Sequence, residues 1–299
     1  MHALTEIIDG RAIAAEIDKE SEELARPGRE RGLRAKLAVI SIGSDPAVES
    51  YSRQKQRVAK RLGIDYLEVR KQGDAGTEEV VSAVEDLACD RTVDGILVHA
   101  PIPGHLDSGR IVNSIPVDKD VDCASLGSIG LLFSGRPVFA PATAEAVVEI
   151  LLRANHPPAG RHVVILGRSM VVGKPLAALL LLKGGRGDAT ITVCHSMTRN
   201  PALHTRRADI IVAAIGSAGY VTGDMVPDGS VVIDVGINSV RDENAKGGFR
   251  LAGDVDFEGV RGKAGAITPV PGGVGPVTTS VLMNHVARSF SSRVESGDL

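Results

Sequence analysis

Tyr51 and Lys55 lie four residues apart, so on a helix they share one face. An aromatic ring beside an amine could orient a flat heterocycle or move a proton; the plainer alternative is a solvated helix face. Asp94-Gly95-Ile96-Leu97-Val98 reads as a buried strand that runs directly into His99 and a Pro-rich loop. Ligands of open α/β sheets sit at the carboxyl ends of strands, and His99 falls at one. A structural, hydrogen-bonding histidine is the competing reading. Asp118, Asp120 and Asp122 alternate across Pro116–Asp122. Lys119 between them, and the lack of an EF-hand glycine and glutamate, argue against a metal loop. A carboxylate that reads donors on a ligand remains possible, as does plain surface charge.

Nucleotide chemistry is suggested further on. His162–Leu166 reads as a strand, Gly167-Arg168-Ser169-Met170-Val171-Val172-Gly173 as a turn, and Lys174-Pro175-Leu176-Ala177 as the start of a helix. That order aims backbone amides and a helix dipole at a pyrophosphate. The glycine spacing departs from G-x-G-x-x-G, so the motif alone is a moderate signal. The next strand ends in Val193-Cys194-His195-Ser196 without the acid that pairs with the ribose of NAD. Arg168 and Arg199 nearby, with Ser196 able to donate, favour a ribose that carries a phosphate, hence NADP over NAD. Val232–Asn238 and Gly253-Asp254-Val255 are later segments that could line the nicotinamide pocket.

The stretch Ile267–Pro276 holds three prolines and three glycines in ten residues. Proline removes an amide donor and glycine costs backbone entropy, so an ordinary helix or central strand is excluded. The expectation is a rigid loop in close backbone approach to a ligand, followed by a helix with Pro276 at its first position.

Elements must position these residues. Short β-branched runs at Leu37–Ile42, Ile64–Val69, Gly95–Val98, His162–Leu166, Thr190–Cys194, Ile210–Ala214 and Val231–Val235 alternate with amphipathic stretches. The latter cover Pro46–Leu62, Thr77–Ala88, Thr143–Ala154 and Lys174–Lys183, with a terminal helix at Pro276–Phe290. Asp45 is expected to cap the first of these. Such alternation predicts an α/β fold with parallel sheets. Asn155–Gly160 interrupts the pattern and marks a boundary region. The chain of 299 residues is long enough for two domains. A net charge of -3, mixed along the chain, gives no footprint for nucleic acid or an anionic membrane. No apolar run is long enough to span a bilayer, and the first residues lack signal-peptide character. Three scattered cysteines form no metal-ligand spacing, so no metal is expected and a reduced cytoplasmic setting is.

Taken together, Tyr51 with Lys55, Asp94–Val98, Lys119–Asp122, Gly167-Arg168-Ser169 with Val172–Pro175, Val232–Asn238 and the Pro/Gly loop resemble the bifunctional methylenetetrahydrofolate dehydrogenase/methenyltetrahydrofolate cyclohydrolase family. The resemblance runs from Ile8 to the last helix. It implies an α/β substrate domain over 1–145 completed by 276–299, a Rossmann-like NADP domain over 146–275, a cleft between them, and a homodimer. It implies that 5,10-methylenetetrahydrofolate is oxidised with NADP to the methenyl form, then hydrolysed to 10-formyltetrahydrofolate, a one-carbon donor for purine biosynthesis. It also implies roles: Tyr51 stacks on the pterin or the adjoining ring, Lys55 assists hydrolysis and Asp122 holds the pterin. Gly167, Arg168, Ser169 and Ile237 contact NADP, joined by Ser196 from the residue reading. Pro271, Gly272 and Gly273 shape the substrate site.

The chain departs from that family at His99-Ala100, where Gln-Leu is usual, and at Cys123-Ala124, where Gly-Phe is usual. It departs again at Ala144, the last residue of a usual Pro-x-Thr-Pro, and at Met197, where a basic residue is common. The Gln is expected to orient the Lys, so His99 joins the catalytic candidates. A protonated His99 beside Lys55 is a like-charge pair that favours neutral forms. Three outcomes stay open: both activities, a dehydrogenase-only or substrate-shifted paralogue, and a silent folate- or nucleotide-binding protein.

Overall fold

The computed structural model describes residues 4–44, 46–243 and 248–297; the side chains at 46–48, 50 and 51 fall outside that description. Asp45 and its expected cap therefore lie outside the described residues. In chain order the elements are β1 (Glu6–Ile7), α1 (Gly10–Glu30), β2 (Lys36–Ile42), α2 (Pro46–Arg61), β3 (Asp65–Lys71), α3 (Thr77–Cys89), β4 (Gly95–Val98), α4 (Ser108–Asn113), α5 (Leu126–Phe133) and α6 (Ala142–Arg153). There follow β5 (His162–Leu166), α7 (Gly173–Leu180), β6 (Thr190–Cys194), α8 (Ala202–Thr205), β7 (Ile210–Ala213), β8 (Val231–Asp234), β9 (Asn238–Arg241), β10 (Phe249–Ala252), α9 (Phe257–Arg261), β11 (Ala266–Ile267) and α10 (Val274–Ser296). Two compact units result. One comprises Ala15–Ala142 with Thr279–Leu299; the other comprises the chain up to Ala14 with Thr143–Thr278.

The first unit is built on a three-stranded parallel sheet in the order β3-β2-β4. The middle strand β2, Lys-Leu-Ala-Val-Ile-Ser-Ile, is buried on both faces except at its ends, which is why it reads as an apolar run. α3 and α4 cover the sheet through Val80, Val84, Leu87 and Ile111. The segment 119–122 runs beside β4: Ile96 N–H donates to Lys119 O at 2.8 Å. A Cβ on Gly95 would meet Val121 Cγ1 at 2.7 Å, so a glycine is what admits that segment. The last helix closes this unit. Phe290 is fully buried and sits where Gly28 of α1 leaves room; His285 donates from Nδ1 to Val121 O at 2.7 Å. Arg293 reaches Asp94 just before β4, Nε to Oδ1 2.7 Å, while Lys36 N–H donates to Asp94 Oδ2 at 2.8 Å.

The second unit holds a six-stranded, all-parallel sheet in the order β1-β11-β8-β7-β5-β6, with the antiparallel hairpin β9/β10 beside it. β6 lies on one side of β5 and β7 on the other, so the order reverses at β5 and opens a crevice at its carboxyl end. Apolar side chains of β5, β7 and β8 fill its core, Val164, Ile211 and Val232 among them.

All seven expected strands form, with ends within two residues of the expected ones. α7 stops at Leu180 rather than Lys183, because the chain turns at Gly184, at φ +99°, whose N–H is held by Asp188 Oδ2 at 2.7 Å. α10 begins at Val274, so Pro276 is its third residue rather than its first; proline is tolerated throughout that first turn because those amides lack partners. α1, the hairpin and the two-residue strands β1 and β11 were not anticipated. α1 carries Pro27 inside it, and β1 and β11 are too short to show a period.

Asp94 is wholly buried and Arg293 is its charged partner. Removing one member of such a pair strands the other. Arg293→Met is expected to lower stability by about 3 kcal/mol, measured as urea unfolding of the full chain, whereas Arg293→Lys is expected to lose less.

Candidate active site

Strand register brings the first site together. β2 pairs with β3 so that Val39 faces Glu68 and Ser41 faces Arg70, and β2 pairs with β4 so that Ile40 faces Val98. His99 extends that last ladder, donating its N–H to Ile40 O at 2.9 Å. Its imidazole is buried, at 6 % exposure, with Nδ1 3.1 Å from Ser41 Oγ and Nε2 3.2 Å from Lys55 Nζ. Ser41 Oγ in turn donates to Glu68 Oε1 at 2.9 Å. α2 carries Lys55 onto this face of the sheet, where Ser52 Oγ also meets Tyr66 OH at 3.0 Å. Burial pushes the His99 pKa down to about 4, the Lys55 charge adds to that, and Glu68 opposes it. Burial likewise lowers Lys55, against the pull of Asp122. A buried amine biased toward its neutral form beside an uncharged imidazole can accept a proton.

The three alternating acids separate. Asp118 is exposed. Asp120 is structural: its two carboxylate oxygens accept from Ala124 N–H at 2.9 Å and Ser125 N–H at 2.8 Å. Asp122 accepts from Ala142 N–H at 2.8 Å, and burial raises its pKa while that bond, Lys55 and His285 lower it. Asp122, Lys55 and His99 therefore belong to one electrostatic cluster. Tyr51 lies four residues before Lys55 on α2, and its side chain is outside the described residues. Cys123 takes φ +51°, the left-handed region in which a glycine is unstrained, at the position where the resemblance led one to expect glycine. Ala144 is fully buried in the first turn of α6, where a proline is equally compatible.

The second unit carries a cavity of ≈ 500 Å³ at the crevice, lined by Gly167 after β5, Cys194 to Ser196 and Thr198 after β6, and Ala214, Ile215 and Ser217 after β7. Arg168, Ser169, Pro201 and Tyr220 complete the wall. The turn is wound tightly. Gly167 takes φ +129°, and a Cβ there would sit 2.1 Å from Ala214 O; one on Gly173 would sit 2.2 Å from Gly167 O. Ser169 Oγ accepts from Val172 N–H at 3.1 Å, so its own O–H can still donate. The first amides of α7, the exposed Arg168 and the hydroxyls of Ser196 and Ser169 form a donor set that suits a phosphate-bearing nucleotide. Ile237 and Arg199 are exposed and do not line this cavity, and Met197 is 77 % exposed.

Two buried carboxylates hold the loops that shape the cavity. Asp254 accepts from Ile215 N–H at 2.6 Å, Gly216 N–H at 2.9 Å, Ser217 N–H at 2.9 Å and Asn238 Nδ2 at 2.8 Å. Asp234 accepts from the amides of Gly236, Asp254 and Val255, and burial nonetheless raises its pKa to about 6. Both residues stand in segments singled out above, where their carboxylates support these loops; Asp234, Gly253 and Val255 also line a second cavity of this unit. In the Pro/Gly loop Gly273 is buried, and a Cβ on Gly10 would lie 1.9 Å from its carbonyl oxygen. At Gly273 the loop makes a close backbone approach to the start of α1. Pro271 is exposed and Gly272, at φ +112°, half-buried. Sequence reasoning missed Ser41, Glu68 and Tyr220. The alternation of Tyr66, Glu68 and Arg70 along β3 was the available signal for the second of these.

A parallel sheet with a glycine turn at its switch point in one unit, and a buried lysine–histidine pair in the other, define a two-unit, dinucleotide-binding α/β protein. Family models narrow that class: "Tetrahydrofolate dehydrogenase/cyclohydrolase, catalytic domain" matches residues 8–122, and "Tetrahydrofolate dehydrogenase/cyclohydrolase, NAD(P)-binding domain" matches residues 141–294. The Bifunctional protein FolD of Methanoculleus marisnigri is 46% identical over 287 residues, 96% of this chain and 97% of that one. The bifunctional FolD structure from Campylobacter jejuni is 36% identical, with a TM-score of 0.90, covering 97% of this chain and 99% of that one. The Trypanosoma brucei FolD structure, complexed with NADP cofactor and inhibitor, is 36% identical with a TM-score of 0.91, covering 98% of this chain and 99% of that one. The chain belongs to the tetrahydrofolate dehydrogenase/cyclohydrolase family.

His99 carries a stability signature. Unfolded, it binds a proton near pH 6.5; folded, it stays neutral down to about 4. Between those values the unfolded state holds the extra proton, so stability falls as pH drops through that window. The thermal midpoint of His99→Gln minus that of the unsubstituted chain is expected to grow as pH falls from 6.5 to 4 and to stay flat above 7. The carboxylates away from the imidazole are common to both chains and drop out of the difference, whereas Lys55 and Glu68, which face it, are coupled to the same titration.

Proposed function

We propose that the chain oxidises 5,10-methylenetetrahydrofolate with NADP and hydrolyses the resulting methenyl form to 10-formyltetrahydrofolate. The observation that carries this reading is the 3.2 Å contact between Lys55 Nζ and His99 Nε2 in a buried setting that favours neutral forms of both. It supports retention of the hydrolytic half despite the histidine. Relatives named bifunctional, over nearly the full length of both chains, support the same reading over a dehydrogenase-only paralogue or a silent binding protein.

The chemistry that NADP supplies when bound is acceptance of a hydride. The folate nitrogens drive that transfer, so the protein's part is positioning. Gly167, Ser169 and the first amides of α7 are assigned to the pyrophosphate, and Arg168 and Ser196 to the ribose phosphate. Ile237 is assigned to the cofactor on resemblance alone. Hydrolysis forms a C–O bond from water and passes one water proton to Lys55. The C–N bond then breaks, and the remaining hydroxyl proton goes to the departing nitrogen. His99 orients the amine. Asp122, whose pKa burial raises, is assigned to the pterin with Tyr51, and Pro271, Gly272 and Gly273 to the shape of the substrate site. We extend the reading to a cytoplasmic homodimer that supplies purine synthesis and takes no nucleic acid. Mixed surface charge, scattered cysteines and the absence of any described helix long and apolar enough to cross a membrane agree with it.

An absorbance assay that follows NADPH and the methenyl species separately tests the assignment. The unsubstituted chain is expected to form methenyl product that decays faster than in buffer. Lys55→Met is expected to slow that decay by about 100-fold or more while sparing NADP affinity; equal loss of both overturns the division of roles. Arg168→Leu is expected to weaken NADP by about tenfold and NAD far less, read by fluorescence titration.

A further inference from the structure

We infer that Ser41 and Glu68 are positioning residues for hydrolysis, holding His99 in the tautomer that turns a lone pair rather than an N–H toward Lys55. The inference rests on the proposed role of Lys55 and follows from counting protons along one hydrogen-bonded chain. An ionised Glu68 only accepts. Its Oε2 accepts a hydrogen bond from Arg70 Nη2 at 3.0 Å, and its Oε1 accepts one from Ser41 Oγ at 2.9 Å. Ser41 has a single hydroxyl proton, and that proton is committed to Glu68. At 3.1 Å from His99 Nδ1, the Ser41 oxygen can then only accept, so Nδ1 must carry the N–H. A neutral imidazole has one N–H, which leaves Nε2 as an acceptor 3.2 Å from Lys55 Nζ. The amine donates one N–H to His99, and its own lone pair points away from the ring.

The opposite tautomer reverses this. An N–H on Nε2 forces Lys55 to spend its lone pair on His99, and the amine loses its basicity toward water. Glutamine at this position carries acceptor and donor on separate atoms, and its polarity follows from the side chain's orientation. Histidine exchanges the two roles by moving one proton, so it needs a neighbour that sets the tautomer. Ser41 and His99 are each only 6 % exposed, which keeps bulk water from scrambling the chain, and the Glu68 side chain, at 22 %, is anchored by Arg70. The charged groups that act on His99 and Lys55, besides each other, are Glu68 from β3 and Asp122; Arg70 is held on Glu68 and Tyr66 on Ser52.

The test uses the full-length enzyme, its Glu68→Gln, Ser41→Ala and His99→Gln forms, and the Glu68→Gln/His99→Gln double variant. Glutamine at 68 can offer either its carbonyl or its NH2 to Ser41, so it no longer enforces a direction. Glu68→Gln is expected to lower kcat for hydrolysis by about tenfold, with KM and methenyl formation little changed. Nitrogen-resolved NMR of the His99 ring is expected to show Nδ1–H in the parent and a mixture in Glu68→Gln. In the His99→Gln background the same Glu68→Gln change is expected to alter hydrolysis by less than about twofold. Ser41→Ala breaks the chain at its middle and is expected to repeat the loss should Glu68→Gln fold poorly. Unchanged hydrolysis in both Glu68→Gln and Ser41→Ala, an Nε2–H ring in the parent, or an equal loss in both backgrounds overturns the inference. A parent that hydrolyses no faster than buffer overturns the role of Lys55 instead, and the NMR tautomer is read independently of it.

Discussion

Two side chains that form cations cannot both be charged 3.2 Å apart out of water, and the Lys55–His99 contact places that constraint at the centre of the first unit. Relief comes from neutrality. Burial drives the imidazole pKa to about 4 and pulls the amine down as well. The surrounding carboxylates are then distributed rather than paired off at random. Glu68 is engaged with Ser41 and Arg70, while Asp122 faces Lys55 and has its own pKa raised by burial. The parallel register of β2 between β3 and β4 makes this arrangement possible. It brings Ser41, Glu68 and His99 together although they are separated by up to 58 positions in the chain.

The second unit answers a different constraint with similar means. A nucleotide crevice needs loops held open at strand ends, with amides and hydroxyls presented outward. Asp254 ties down three consecutive amides from 215 to 217, and Asp234 ties down three more at 236, 254 and 255. Buried carboxylates with several amide donors rigidify a loop because leaving any of those amides unpaired is expensive. The glycines at 167 and 173 then let the turn close on itself to within distances that a Cβ would forbid.

The departures from the family pattern fall in both units and differ in weight. Ala144 changes little, since the first turn of α6 accepts either residue. Cys123 holds a left-handed conformation that strains a side chain, a modest load on the turn that delivers Asp122. His99 is the substantive change, because it replaces a side chain whose acceptor and donor are separate atoms with one whose polarity depends on a proton. Met197, at the surface of the second unit, leaves Arg168 as the guanidinium in the wall of the crevice.

Local patterns in the sequence determined much of this protein. β-branched runs and turn residues placed seven strands, and the glycine turn after β5 marked the nucleotide crevice. Lys55 stood out on a helix face, His99 at a strand end and Asp122 in a run of alternating acids. Those features depend on neighbours a few residues away, and so they are written in the order of the chain. Tertiary structure alone decided the rest. Ser41 and Glu68 are unremarkable strand residues until register sets them side by side. The packing of the start of α1 against Gly273 of the Pro/Gly loop is not written in either segment. The amide partners that Asp234 and Asp254 draw from distant loops are set by the fold. The protonation states of His99 and Lys55 follow from burial and from groups contributed by three separate elements, a sum over space that residue order does not encode.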